Sequence, residues 1–476
     1  MEIVQSTYLA LAAMAILFRL GPYSGLWAFM FVAPFGAAAA FNLPAVGGVT
    51  IGQLEFLICA LVLTVFLMPG GPNRFFGTLR PGQPGFWLML VIIYGLISSF
   101  FFPRVFAGQT EIFSLSRAAN TKGIIAIPLQ PSSGNISQPA LLTLAALCFV
   151  ALAALFRSRP DEGAVLRAMV TVTLVHFVLG WIDVATSTFG VEFLLEPIRT
   201  ANYDIMLNNY MAGIRRMIGG MPEASSYGAF SLGLFGFWLH YWITGPRSIV
   251  NTIMFLIATS AVLRSTSSGA YIAVVLLFAV YSIGWAVLAG RGKVSRRAAG
   301  LIFSGVIGVW VCAVGIIAGY QLVEPVTAFF DNTLLNKLDS ASGIERMGWN
   351  TQALQNFSDT WFLGAGLGSV RASNWFVSCL GSIGIIGTAF YLAFLGSLAC
   401  APADSGNHAR DAMVQSLKIG ALALIIAALM TASTPNLGTF FYVIAGLCAG
   451  LSRSTVAKSV NQYNFASRSR EVYHAA

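Results

Sequence analysis

The sequence predicts an all-α polytopic membrane protein with 12–13 transmembrane helices and long polar loops on one side of the bilayer. Two observations carry this. Of 476 residues, 57% are hydrophobic and only 9% charged, with a mean hydropathy of +0.76. The apolar residues also fall in long runs punctuated by basic ones. A soluble chain needs about a quarter charged residues to coat its surface, so most of this chain faces lipid or buried helices. Abundant Phe and Gly fit, since large apolar groups face lipid while small ones let helices approach.

A bilayer core takes about 20 apolar residues per helix. On that scale spans are expected near 4–18, 22–41, 53–68, 86–103, 138–156, 164–183, 224–243, 248–264, 268–289, 299–320, 373–398, 415–432 and 437–451. That is 13 segments, or 12 if the first two, parted only around Arg19, form one broken element. Val4 to Phe18 has no positively charged stretch before it and no small-residue cleavage site after it, so it does not read as a signal peptide. The whole of 1–476 reads as one integral membrane domain with a tail at 452–476.

Orientation follows from the basic loops, because Lys and Arg near span ends stay cytoplasmic. Alternating the spans puts Arg19, Arg74, Arg80, Arg157, Arg159, Arg167, Arg247, the basic run 291–297, Arg410, Lys418 and the tail on one side. That side holds 17 of the 27 basic residues against five acids, and is assigned to the cytoplasm. The long segments 104–137, 184–223 and 321–372 then fall on the periplasmic side of a bacterial inner membrane. Function concentrates in shaped polar loops, so the active face is expected there, away from ATP and nucleotide sugars.

The net charge of +9 is spread between spans rather than gathered in a patch, which argues against nucleic acid as a partner. The six cysteines lie in or at the ends of apolar segments and the four histidines are scattered, so neither a disulfide framework nor a metal site is expected. No cofactor is implied. Glu55 and Asp183, at span ends, read as interfacial acids.

Three polar constellations could carry chemistry. The loop 184–223 ends in Gly213-Ile214-Arg215-Arg216-Met217-Ile218-Gly219-Gly220 and runs through Pro222-Glu223-Ala224-Ser225-Ser226-Tyr227-Gly228 into an apolar helix. Paired arginines at a helix entrance suit an anion, because guanidinium forks bind phosphate oxygens bidentately; the plainer reading is a pair of headgroup anchors. In the second, Ser342-Gly343-Ile344-Glu345-Arg346-Met347-Gly348-Trp349-Asn350, the residues Ile344, Met347, Leu354 and Phe357 recur at helical spacing. A short amphipathic helix on the membrane surface is expected, with Arg346 and Asn350 one turn apart and able to face one ligand, or else merely flanking the bundle. The third is Gly364-Ala365-Gly366-Leu367-Gly368 before Arg371, Ser373 and Asn374. Its glycines permit close approach to a ligand or a tight turn, and their spacing is not that of a dinucleotide fingerprint.

With Arg264-Ser265-Thr266-Ser267-Ser268-Gly269 at a turn between spans, these segments resemble the bacterial O-antigen polymerases, O-antigen ligases and related exopolysaccharide polymerases. Asn374, nine residues, then Gly384-Ile385-Ile386-Gly387 looks like the ligase signature, except that Ser373 stands where the ligases have a histidine. A Ser takes no proton at neutral pH, so the departure favours the polymerase branch. The resemblance implies a membrane-helical glycosyltransferase (GT-C-like) architecture, without a metal, that extends undecaprenyl-diphosphate-linked glycan. Donor and acceptor would both be lipid-linked, with a chain-length regulator and a flippase as implied protein partners. It implies Arg216 and Arg346 at the reacting diphosphate, Glu223 and Glu345 as base candidates, and Arg215, Arg264, Arg371, Ser373, Asn374 and Tyr227 in substrate binding. The alternatives are an O-antigen ligase acting on a lipid A-core acceptor, a transporter of the same lipid, and a non-catalytic assembly protein.

Overall fold

The computed structural model describes residues 2–43, 49–115, 124–207, 210–211, 214–290, 300, 341–403 and 406–453. The expected span 299–320, the basic run 291–297, Cys312, most of the loop 321–340 and the tail beyond 453 therefore lie outside the described residues.

The described residues are mostly helical. The helices are α1 (Thr7–Ser24), α2 (Leu26–Phe31), α3 (Gln53–Leu67), α4 (Gly71–Gly77), α5 (Pro84–Val105), α6 (Gly134–Ser158) and α7 (Glu162–Thr188). A 3₁₀ turn (Glu192–Ile198) follows, then α8 (Ala224–Thr244), α9 (Ile249–Arg264), α10 (Ser268–Gly290), α11 (Ala341–Asp359), α12 (Trp375–Ala399), α13 (His408–Thr431) and α14 (Thr439–Ser452). Among the described residues, strands occur only as hairpins in the connections: β1 (Ala39–Leu43) with β2 (Val49–Gly52), β3 (Glu111–Leu115) with β4 (Ile124–Pro128), and β5 (Tyr210–Met211) with β6 (Ile214–Arg215).

Six of these helices, α5, α6, α7, α10, α12 and α13, are long and apolar enough to cross a membrane, which makes this a membrane protein. A seventh arises if α3 and α4, bent by 115°, form one broken span. The expectation of 12–13 is thus not met among the described residues, for identifiable reasons. Residues 22–41 are not a span: Pro34 and Gly36 interrupt the apolar run, α2 lasts six residues, and the Ala-rich stretch passes into β1. The first helix runs past Arg19 and breaks at Gly21 (φ 76°) ahead of Pro22. At 16 and 14 residues, α9 and α14 are short for a bilayer. Polar residues dilute α8, yet it sits almost wholly inside the bundle, where Gly233 and Gly236 let it lie against Leu424, Ala423 and the Ile419 carbonyl of α13.

One end of the bundle is knitted into a layer. The Gln53 amide donates to the Ser6 and Ala39 carbonyls, Thr439 donates to Glu55 (2.6 Å), the Ala37 N–H to Gly220 O, Asn135 to Leu367 O and Ser369 Oγ, and Trp375 to Pro435 O. At the opposite helix ends, Arg410 pairs with Glu162 and Arg453 donates to Gly82 O and Gln83. The sequence groups those basic residues on one side, and the long connections meet at the other.

Candidate functional site

The layer is organised around Asp183, near the end of α7. Its carboxylate is wholly buried, not interfacial as its position suggests. One oxygen accepts the backbone N–H groups of Ile218 (3.0 Å) and Gly219 (3.2 Å). The other takes Arg199 (2.6 Å) and Arg215 (3.4 Å). Arg215 also pairs with Glu192 of the 3₁₀ turn. Two acids and two guanidiniums close a charge-balanced knot that fixes residues 215–219.

Arg215 ends β6, and successive side chains along extended backbone point to opposite faces. Arg216 accordingly turns away from the knot. Its Nε donates to the carbonyl of Thr266 (3.1 Å) in the α9–α10 turn, while Arg264 of the same turn donates to the carbonyl of Arg215 (3.2 Å). Thr266 is buried with φ 48°, a left-handed conformation that is costly for a β-branched residue and that clusters at functional sites. The two segments are thus cross-braced by their arginines.

Both Nη groups of Arg216 lack a hydrogen-bond partner among the described residues. Burial holds this guanidinium below its ordinary pKa; the Glu223 carboxylate opposes that effect and the positive charge of Arg346 adds to it. Arg346 of α11 is therefore an electrostatic neighbour of Arg216, although 130 residues separate them in the chain. It too makes no hydrogen bond or ion pair among the described residues. Glu223, at the N-cap of α8, accepts the hydroxyls of Ser225 and Ser226. Arg216 thus lies within electrostatic reach of both the Glu223 carboxylate and Arg346, while Arg264 braces the backbone of the Arg215–Arg216 segment.

α11 turns a largely polar side toward the protein and leaves its apolar stripe outward. Ile344, Met347 and Leu354 are about half exposed, whereas Gly343, Ala353, Asn356 and Thr360 are buried, with Arg346, Trp349 and Asn350 partly so. Spacing of three and four residues puts this polar set on one stripe toward the protein. Asn356 donates to Thr110 Oγ1 (2.9 Å), and the Asn350 side chain accepts the Ser373 N–H (2.7 Å). Asn350 is therefore engaged by backbone, not free beside Arg346. Glu345 is on the outer side, exposed.

The other predicted residues do not converge on the arginines. Arg215 is held by acids, as above. Ser373 is buried, and Asn374 caps α12 by accepting the N–H groups of Phe376 and Val377. Tyr227 is fully buried, stacked on His176 at 4.1 Å between ring centroids. Arg215, Ser373 and Asn374 have structural explanations, whereas the buried Tyr227 hydroxyl has no hydrogen-bond partner among the described residues. Arg371 is exposed on the rim of a separate cavity that also reaches Trp349.

The Gly364–Gly368 segment is likewise a backbone device. All three glycines have φ between 88° and 100°, and a Cβ on Gly366 would lie 2.8 Å from Pro103 and from Ser98 O. α12 breaks at Gly384 (φ 60°), and the segment fills the break: Ala365 N–H donates to Gly381 O (2.8 Å) and Gly366 N–H to Ser382 O (3.0 Å). Its close approach is to the protein's own chain, not to a ligand.

Reading the sequence alone places Asp183 at the interface, gives Thr266 no role beyond its motif and misses the cavity. The signal for the cavity is present in Gln130-Pro131-Ser132-Ser133, a hydroxyl- and amide-rich lip directly before an apolar span. A scan of the chain against protein-family models and a search of curated proteins both return no match.

Proposed function

We propose that the protein is a membrane glycosyltransferase that polymerises undecaprenyl-diphosphate-linked oligosaccharide repeats into O-antigen or exopolysaccharide at the outer face of the bacterial inner membrane. The observation that carries this reading is the pair Arg216 and Arg346: two guanidiniums in mutual electrostatic reach, neither in an ion pair among the described residues, with Arg216 braced by a buried framework and balanced only in part by the nearby Glu223 carboxylate. Keeping a desolvated cation beside a like charge is unfavourable unless an anion joins them. A lipid diphosphate supplies that anion and accepts bidentate hydrogen bonds from both.

In the reaction, an acceptor sugar hydroxyl attacks the anomeric carbon of the donor. The carbon–oxygen bond to the diphosphate breaks and its electron pair leaves with the lipid diphosphate. Arg216 and Arg346 stabilise the charge growing there; losing one such donor costs about 3–4 kcal/mol in other enzymes. Glu223, beside Arg216 and oriented by two serine hydroxyls, takes the proton of the attacking hydroxyl. Ser373 offers no basic group for the ligase variant of this chemistry. A transporter would use the freed backbone groups of a broken helix to hold its cargo. At the α12 break, however, the Gly381 and Ser382 carbonyls are taken by residues 365 and 366.

In cells, Arg216→Ala or Arg346→Ala should abolish polymer while lipid-linked single repeats accumulate. Polymer of unchanged length in both variants would remove the assignment.

A further inference from the structure

A second feature lies on the same stripe of α11. Trp349 stands one turn from Arg346 and enters a cavity of about 680 Å³. Its lining includes the N-terminal turn of α6 and the residues just before it, among them Ser133, Ser137 and Gln138, together with Ser369, Arg371 and Thr434. The β3–β4 hairpin supplies an apolar side through Ile112 and Ile127. The lining is rich in hydroxyl and amide groups, holds one cation and, among the described residues, no acid. The walls are fixed: Asn135, at the start of α6, donates to Leu367 O (3.0 Å) and Ser369 Oγ (2.8 Å), and Asn350 holds the N–H of Ser373 beneath Trp349.

Each part of this lining suits a carbohydrate. Sugar rings present apolar faces that an indole covers, and rims of hydroxyls that both donate and accept hydrogen bonds. Ser and Gln side chains also do both. The volume lies within the range of small-molecule sites, about 300–1,000 Å³, and exceeds what a phosphate requires. A lone arginine on the rim supplies further donors without committing the cavity to a multiply charged ligand. A prenyl chain is disfavoured, because it would leave this many polar groups buried without partners.

We infer that this cavity is a glycan subsite, which seats one or more sugars of a lipid-linked substrate while Arg346, on the neighbouring turn of α11, and Arg216 hold the diphosphate. The inference rests on the proposed function but is tested apart from it. Trp349 is the ring platform, and Ser137 and Gln138 are the hydroxyl-reading groups.

The test uses the full-length protein in nanodiscs and two probes: the lipid-free repeat oligosaccharide released by mild acid from the host's lipid-linked pool, and sugar-free farnesyl diphosphate. Ser137→Trp, which fills the cavity, and Trp349→Ala should weaken oligosaccharide binding at least tenfold and leave farnesyl diphosphate binding within twofold of wild type. Trp349→Phe, which keeps a ring, should retain most oligosaccharide binding. Unchanged farnesyl diphosphate binding also shows that the variants are folded. Oligosaccharide that fails to bind wild type, or that binds Ser137→Trp and Trp349→Ala equally well, overturns the subsite. Failure of farnesyl diphosphate to bind wild type would instead count against the arginine site, whatever the oligosaccharide does.

Discussion

Arg215 and Arg216 are neighbours of identical chemistry, and their alanine variants should fail in opposite ways. Removing Arg215 takes one partner from buried Asp183 and, among the described residues, the only ionic partner from Glu192. Breaking a buried ion pair outright costs about 3–5 kcal/mol. Here Asp183 keeps Arg199 and two backbone N–H groups, and Glu192 is partly exposed, so about 1–3 kcal/mol is expected, the cost of lost charged hydrogen bonds. Removing Arg216 deletes its hydrogen bond to Thr266 O but also relieves a desolvated cation beside Arg346. Those effects oppose, so stability should change by under about 1 kcal/mol, while transition-state stabilisation falls by about 3–4 kcal/mol, or 10²- to 10³-fold in rate. The assays are the temperature at which detergent-solubilised protein leaves the monodisperse peak, and initial polymerisation rate in membranes with each variant at equal abundance. Arg215→Ala should lower the first and retain substantial rate per folded molecule; Arg216→Ala should do the reverse. Two variants with the same profile, whether both unstable or both stable and inactive, would refute the division of roles.

Other outcomes follow from the same geometry. In Arg216→Lys, the ammonium inherits a desolvated site beside Arg346. Lysine loses its proton readily in such places, so activity should fall as pH rises above about 8, while wild type, whose guanidinium stays charged, shows no such loss up to about pH 9. A parallel alkaline profile for both proteins would argue against this reading. Glu223→Gln should keep the serine contacts yet lose proton uptake, lowering turnover about 10²- to 10⁴-fold without weakening farnesyl diphosphate binding. Full turnover would dismiss Glu223 as base. Gly366→Ala forces a Cβ to within 2.8 Å of Pro103 and Ser98 O at φ 100°, and should destabilise by more than about 1 kcal/mol. An unchanged thermal transition would show that the segment tolerates rearrangement.

Much of the helical architecture is legible in the sequence, because a run such as 86–103 is apolar for the full thickness of a bilayer and α5 (84–105) realises it. Residues 22–41 are as apolar, yet hydropathy does not encode secondary structure, and Pro34 with Gly36 divert the chain into a hairpin. The arginine motif is also visible, but its division of labour is not. Arg215 and Arg216 differ only through the alternation of one short strand and through Asp183, whose depth depends on a loop folding back over α7. The amphipathic stripe of α11 is also legible, but what its polar side meets is not: Thr110 and the Ser373 N–H, which engage Asn356 and Asn350, come from distant parts of the chain. Likewise, spacing alone cannot tell that Gly364–Gly368 approaches a broken helix rather than a ligand.

The most direct measurement of the central claim is elongation in proteoliposomes that contain only the purified protein and lipid-linked single repeats. The account predicts that wild-type protein lengthens the glycan and releases undecaprenyl diphosphate in step with each bond formed, while Arg216→Ala and Arg346→Ala leave the repeats single. Single repeats left intact by wild type, or lengthened equally by both arginine variants, would contradict it.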